Sequence, residues 1–210
     1  MVRRFPNLSG FVLVGGASRR MGQSKHLLQL GGETMLERQV RLLRGVCRSV
    51  AIIGSTKVSI GLDAPVFADE IAGRGPLGGI YTGLLYTRTE YNLFVGCDLP
   101  FLETRLLGHL ARLALDSQAD VTVPQDRRGR LEPLCAIYRR RALPVVRARL
   151  REGANKTSGF FPLVRCRVIP WREVAAAGIT PYIFDNMNTP EDWQTAVRHF
   201  SAASSDTLLP

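Results

Sequence analysis

No run of apolar residues in the sequence approaches the roughly 18 that a membrane-spanning helix needs, so a membrane is not expected as a partner. The opening stretch Met1–Ser9 is basic but has no apolar core of a secretory signal, and the expected location is the cytoplasm. Cysteine is sparse. Cys47, Cys97, Cys135 and Cys166 form no C-x-x-C pair, and Cys97 and Cys135 lie in apolar runs where a thiol is a small hydrophobe. His26, His109 and His199 are as dispersed as the cysteines, which excludes a clustered zinc site and a disulfide framework. Aromatic residues make up only 8% of the chain, and none lies in its densest basic stretch, Arg139–Arg151. A nucleic-acid surface would interleave basic and aromatic residues, so nucleic acid is not the expected partner, although that reading remains a remote alternative. No set of Ser, His and Asp, or of Cys and His, suggests a covalent nucleophile, and no internal repeat or linker divides the 210 residues.

What the sequence does have is a net charge of +10 and 45% hydrophobic residues. The first attracts polyanions, phosphorylated small molecules among them. The second supports one sizeable core, expected over residues 1–200, with a small, polar and disordered tail at 201–210. Short apolar runs alternate with helical spacings, the pattern of βα units and a mostly parallel sheet. Strands are expected at Phe11–Val14, Ser49–Ile53, Pro65–Ala68, Asn92–Cys97, Asp120–Val123, Leu134–Tyr138 and Leu163–Ile169. Helices are expected at Thr34–Arg44, Leu77–Tyr86, Glu103–Leu115, from Arg139 to Arg151, and at Pro190–Phe200. Gln125–Arg130 reads as a turn and Gly153–Gly159 as a mobile loop.

Chemistry concentrates at strand ends. The run Leu-Val-Gly-Gly-Ala-Ser-Arg-Arg-Met-Gly-Gln-Ser-Lys, Leu13–Lys25, follows a buried strand and so lies where open α/β sheets bind ligands. Gly15 and Gly16 let the backbone approach an anion closely, and Arg19, Arg20 and Lys25 add cationic donors. Lys25 follows Ser24 and no Ser or Thr comes after it, so this is not a P-loop; nor does the run have the dinucleotide spacing. Asp98 ends another apolar strand and offers a hard oxygen ligand suited to Mg²⁺; a helix N-cap ahead of Glu103 is the other use of such an aspartate. Asp69 ends a short strand, and Gly75–Gly79 is either a close approach to a ligand or a helix entry. Thr189, Pro190 and Asp192 form a capping pattern, whereas Asn186 and Asn188 alternate on an extended segment and would present two amides to one side.

Leu13–Lys25 fits the pattern Leu-x-Gly-Gly-x-Ser-x-Arg-Met-Gly-x-x-Lys and resembles the signature of the MobA-like nucleotidyltransferase superfamily, most closely its molybdenum cofactor guanylyltransferase branch. Asp69 with Gly75–Ile80, Gly96–Phe101 and Phe184–Asp192 resemble three further segments of that family, in the same order and across residues 10–200. The resemblance implies a three-layer, Rossmann-like α/β fold. It implies GTP binding by Leu13, Val14, Gly15, Gly16, Lys25, Asp69, Gly78 and Asp98, catalysis by Arg20, Lys25 and Asp98, and Mg²⁺ on Asp98. Asn186, Asn188 and Lys156 would face the pterin of the second substrate, molybdopterin, with Lys156 equally readable as an exposed loop lysine. Arg130–Cys135 and Gly153–Thr157 resemble segments lining the acceptor side. Molybdenum-insertion or molybdoenzyme maturation proteins would be the protein partners. Ile53-Gly54-Ser55 departs from the family, which tends to carry an asparagine there, so CTP or another nucleotide, with molybdopterin or a sugar or alcohol phosphate, stays open as the alternative.

Overall fold

Strand β1 (Phe5–Val14) is an inner strand, third in order, of a seven-stranded sheet in a computed structural model that describes residues 4–15, 24–54 and 61–205, without the side chains of 202–205. Its neighbours are β4 (Cys47–Gly54) and β6 (Tyr91–Gly96), both parallel to it. The edge beyond β4 is β5 (Val66–Phe67); beyond β6 come β8 (Cys135–Arg139), β7 (Val121–Pro124) and β9 (Cys166–Ile169). Only β8 runs antiparallel, against both β6 and β7. Every residue of β6 is buried, as expected of a parallel strand covered on both faces. The mostly parallel three-layer arrangement matches the expectation from sequence.

One face carries α1 (Met35–Arg44), α3 (Thr104–Ser117) and α5 (Trp171–Ala176), whose Leu36, Leu43, Leu106, Leu110 and Val174 pack with Val12, Ile52 and Val95. The other carries α2 (Gly75–Tyr86) and α4 (Leu143–Arg151), whose Leu77, Ile80, Leu84 and Val146 meet Phe11, Ile53 and Phe94. Helix α1 starts where the sequence offers a complete capping box: Thr34 Oγ1 accepts from the Glu37 amide, and Glu37 Oε2 accepts from the Thr34 amide. Helix α2 tolerates its glycines because of packing. A Cβ on Gly83 would lie 2.5 Å from the Phe94 ring, so the bare backbone is what lets α2 sit down on β6.

Several local expectations are corrected. Residues Gly153–Gly159 are not simply a loop, since a 3-10 turn begins at Thr157 and runs to Leu163, held by buried Thr157, Phe160 and Phe161. Helix α6 (Pro190–Ser205) passes Phe200 by five residues, into the tail expected to lack structure. The small hairpin β2 (Gln29–Leu30) and β3 (Glu33–Thr34), and helix α5, have no counterpart among the expected elements. Leu28, Leu30 and Met35 form a third apolar cluster with Met187 and Ala196, which docks α6 beside that hairpin. Among the described residues no helix is long and apolar enough to cross a membrane.

The two ends of the sheet differ in character. At the amino end of β1 and β6, Thr89 donates to Ser9 at 2.8 Å and Asn92 Nδ2 to the Tyr138 carbonyl at 3.1 Å, a buried polar knot with its partners inside the protein. At the carboxyl end, the loops after β1, β4, β5 and β6 open a cleft. β1 has β4 on one side and β6 on the other, so the chain leaves it in both directions; this is the switch point where open α/β sheets bind ligands.

Candidate active site

The cleft has a volume of about 570 Å³. Leu13, Val14 and Gly15 at the end of β1, Ile53 at the end of β4, and Asp98 just past β6 line its floor. Gly73, Gly75, Pro76 and Gly79 contribute one wall, Asp69 standing beside them, and Leu134 the other. Ser24, Lys25 and His26 close the near side.

Lys25 and Asp98, 73 positions apart, meet here. Lys25 Nζ lies 3.9 Å from Asp98 Oδ2 and donates to Asn188 Oδ1 at 2.6 Å. A separation of 3.9 Å leaves the Asp98 oxygens without a close cationic partner among the described residues. Burial pushes the Asp98 carboxyl above its ordinary range, against the pull of Lys25. Burial likewise raises Asp69. Two carboxylates held where their charge is disfavoured gain from a cation entering the cleft. The space around Asp98 is cleared for it: a Cβ on Gly96 would lie 2.7 Å from Asp98 Oδ1. On the opposite wall a Cβ on Gly79 would meet Leu13 at 3.0 Å and Asp69 Oδ1 at 3.7 Å, so a larger residue there would crowd the floor.

The donor set suits a hard divalent ion. Asp98 supplies one anionic oxygen site with a free side toward the cleft, and Mg²⁺ typically takes one or two carboxylates and completes its shell with phosphate and water. The segment bearing Asp98 is held from the far end of the chain, since the Met187 amide donates to the Asp98 carbonyl at 2.8 Å. Asp192 in turn accepts from the Asn188 and Thr189 amides, both at 2.9 Å, while its own amide donates to Thr189 Oγ1, so the capping pattern read from sequence is formed.

Leu13, Val14, Gly15, Lys25, Asp69 and Asp98 therefore share one cleft, and Asn188 reaches them through Lys25. Gly16 and Arg20 lie outside the described residues. Gly78 does not line the cleft. A Cβ at Gly78 would stand 3.1 Å from both the Ile71 carbonyl and the Arg74 Cβ, and its neighbour Gly79 takes the wall position, because the helical turn points successive residues about 100° apart. Asn186 is exposed and Lys156 is an exposed residue ahead of the 3-10 turn; neither borders the cleft. Sequence reasoning missed His26, whose only signal was its place next to Lys25; Leu134, within the Arg130–Cys135 segment, stands beside Gly96 just ahead of β8.

Sheet order and cleft are those of a ligand-binding α/β fold, and comparison with known proteins makes its class that of a nucleotidyltransferase. Residues 10–161 match the model of the MobA-like NTP transferase domain, and the chain belongs to that family. It is 35% identical over 93% of its length to a probable molybdenum cofactor guanylyltransferase of Carboxydothermus hydrogenoformans, covering 98% of that protein. It is 32% identical over 90% of its length to the molybdenum cofactor guanylyltransferase of Desulfosudis oleivorans, covering 94% of it. In fold it is similar to molybdopterin-guanine dinucleotide biosynthesis protein A from Archaeoglobus fulgidus, with a TM-score of 0.81 at 24% identity, over 92% of this chain and 99% of that one.

Proposed function

We propose that the protein is a cytoplasmic molybdenum cofactor guanylyltransferase, a single catalytic unit over residues 1–200 that transfers GMP from GTP to the terminal phosphate of molybdopterin or its molybdenum-loaded form. The observation that carries this is the meeting of Lys25, Asp69 and Asp98 in one cleft at the carboxyl ends of β1, β5 and β6. A phosphate oxygen of the acceptor forms the new bond to the α-phosphorus, the bond to the bridging oxygen breaks, and pyrophosphate leaves with that electron pair. The attacking oxygen is already anionic, so no protein base is needed, consistent with the lack of a nucleophile set in the sequence. Catalysis is positioning and charge neutralisation.

Lys25 is a cation of the cleft that stands ready for the triphosphate; bound phosphate competes with Asn188 Oδ1 for its ammonium. Asp98 holds Mg²⁺, which when bound neutralises phosphate charge. Asp69 and Gly79 bound the nucleoside side of the cleft, and Gly15 lets the strand end approach the phosphates. Arg20 would add charge from the same loop as Lys25. Asn186, Asn188 and Lys156 belong in this reading to the pterin side, and a molybdoenzyme maturation protein would receive the product. CTP is the second reading of the nucleotide, favoured by Ile53 and Gly54 standing at the cleft end of β4 without an asparagine there.

The test is incubation with a molybdopterin-loaded acceptor, Mg²⁺ and each nucleoside triphosphate, with pyrophosphate quantified and the transferred nucleotide identified after hydrolysis of the product. GMP is expected. CMP would replace the guanine assignment, and no pyrophosphate with any nucleotide would end the transferase reading. Asp98→Ala should lower kcat/KM by about 100- to 1,000-fold, the usual loss of one preorganised electrostatic group; retention of more than about a tenth would contradict its role as metal ligand.

A further inference from the structure

The segment that carries Asp98 is irregular backbone between β6 and α3, and side chains of α1 hold it. Gln39 Nε2 donates to the Leu99 carbonyl at 2.8 Å. Arg38 Nε donates to the Pro100 carbonyl at 2.8 Å, and Arg38 Nη2 to the Leu102 carbonyl at 3.1 Å. With the Met187 amide on Asp98, the carbonyls of residues 98, 99, 100 and 102 are each bonded from outside the segment. The Phe101 ring stands edge-on to Tyr182 and His199, with centroids 5.0 and 5.4 Å away.

Both α1 side chains sit where burial counts against them. Gln39 is fully buried, and its Oε1 has no partner among the described residues. A buried amide oxygen without a donor is destabilising, and an apolar side chain at that point of the helix would avoid it. The Arg38 side chain is only 11% exposed and lies 4.6 Å from the centroid of the Phe200 ring. Its remaining nitrogen, Nη1, lies 3.4 Å from Glu33 Oε1, so all three guanidinium nitrogens have acceptors. That planar fork is one that lysine cannot reproduce. What Arg38 and Gln39 share is the segment they grip. Asp98 is part-buried, and a carboxylate prefers water, so the easiest relaxation of a loosened segment turns Asp98 out of the cleft.

We propose that Arg38 and Gln39 are positioning residues for Asp98: by fixing the main chain from Leu99 to Leu102 they aim its carboxylate into the cleft before a metal ion arrives. This rests on the reading of Asp98 as a ligand of Mg²⁺. Groups that orient a metal ligand from outside commonly change metal affinity or activity by about 10- to 100-fold when they are lost.

The experiment titrates GTP, with no acceptor and hence no turnover, into the parent, Gln39→Met, Arg38→Lys and Asp98→Ala, once in Mg²⁺ and once in EDTA. Methionine keeps the length of Gln39 and removes its donor; lysine keeps the charge of Arg38 and loses the fork. In both α1 variants Kd for GTP should rise about tenfold in Mg²⁺ and stay within about twofold of the parent in EDTA. Equal weakening in Mg²⁺ and in EDTA makes the two residues structural only, and unchanged binding in both means that Asp98 is placed without them; either result overturns the proposal. Should one variant lack a cooperative melt, the other decides, since the two residues act through separate bonds. If Asp98→Ala keeps the full strengthening by Mg²⁺, the metal reading of Asp98 fails and the proposal with it. If Asp98→Ala loses that strengthening while both α1 variants keep it, the metal reading stands and the positioning role falls.

Discussion

At the scale of single residues, Glu132, on the connection between β7 and β8, ties stability to pH. A glutamate in the unfolded chain titrates near its ordinary value of 4.5, and in the fold it is raised to about 7. The folded state therefore holds this proton more tightly. The stabilisation is complete below the unfolded value and is lost as pH rises through the folded one. Glutamine carries no such charge. Melting temperatures of Glu132→Gln and parent should coincide near pH 5, and the variant should melt higher at pH 8; a gap that is constant with pH would show that Glu132 is not raised. Where a motif coincides with a strand end, as at Lys25, Asp69 and Asp98, the sequence made the shared position in one cleft legible, because the end of a buried strand fixes direction. Asn186 and Gly78 stand off the cleft lining, a placement the sequence could not disclose. Asn186 lies in an irregular segment whose facing depends on the buried anchor Met187, and Gly78 differs from Gly79 only by one step of a helix.

Elements were legible where periodicity was long. Helices α1, α3 and α4 and strands β1, β4 and β6 lie near where the apolar spacing puts them, although β1 extends back to Phe5 because Phe5 pairs with Cys47 beside it. The hairpin of β2 and β3 escaped notice because its strands are two residues each. Its signal was the Gly31-Gly32 pair, which adopts the positive φ values of 61° and 85° that a two-residue hairpin demands. The 3-10 turn at Thr157–Leu163 was hidden by its glycine and proline content; it exists because Phe160 and Phe161 are buried under the α4 face. Helix α3 ends on a residue that sequence alone does not favour. Gln118 has φ 51°, a left-handed conformation that costs a side chain about 1 kcal/mol and suits glycine. Gln118→Gly should therefore stabilise by about 0.5–1 kcal/mol, since its main-chain carbonyl keeps its bonds from Arg139 and Arg141. Chemical denaturation is the measurement, and a lower midpoint would refute the strain.

On the scale of the whole molecule, the charge of +10 has a structural distribution that the sequence could not disclose. Much of the Arg139–Arg151 stretch is engaged within the fold: Arg139 with Glu90, Arg141 with Asp120, Arg149 with Glu152, and Arg147 over the Tyr81 ring. The cleft combines Lys25 with the carboxylates of Asp69 and Asp98, which on the proposed function suits a polyphosphate arriving with its cation better than a bare polyanion. Binding to the folded state alone adds about 2.7 kcal/mol at a ligand concentration about one hundred times Kd, which for a chain of this size moves the midpoint by roughly 5–10 °C. Such a shift is expected with GTP and Mg²⁺ together, a smaller one with GTP alone, and the smallest with CTP. Equal shifts for GTP and CTP would remove the guanine preference from the proposed function.

The Met187 amide and the Asp98 carbonyl join positions 89 residues apart, and Asn188 reaches Lys25 across 163. The loop that presents the carboxylate is thus buttressed by chain made long after it. During synthesis the parts before residue 187 can collapse around the central sheet, yet the Asp98 carbonyl gains its donor only when that late segment emerges from the ribosome. In an unfinished molecule the stretch bearing Asp98 would lack that support, and its final placement would come only as translation nears its end.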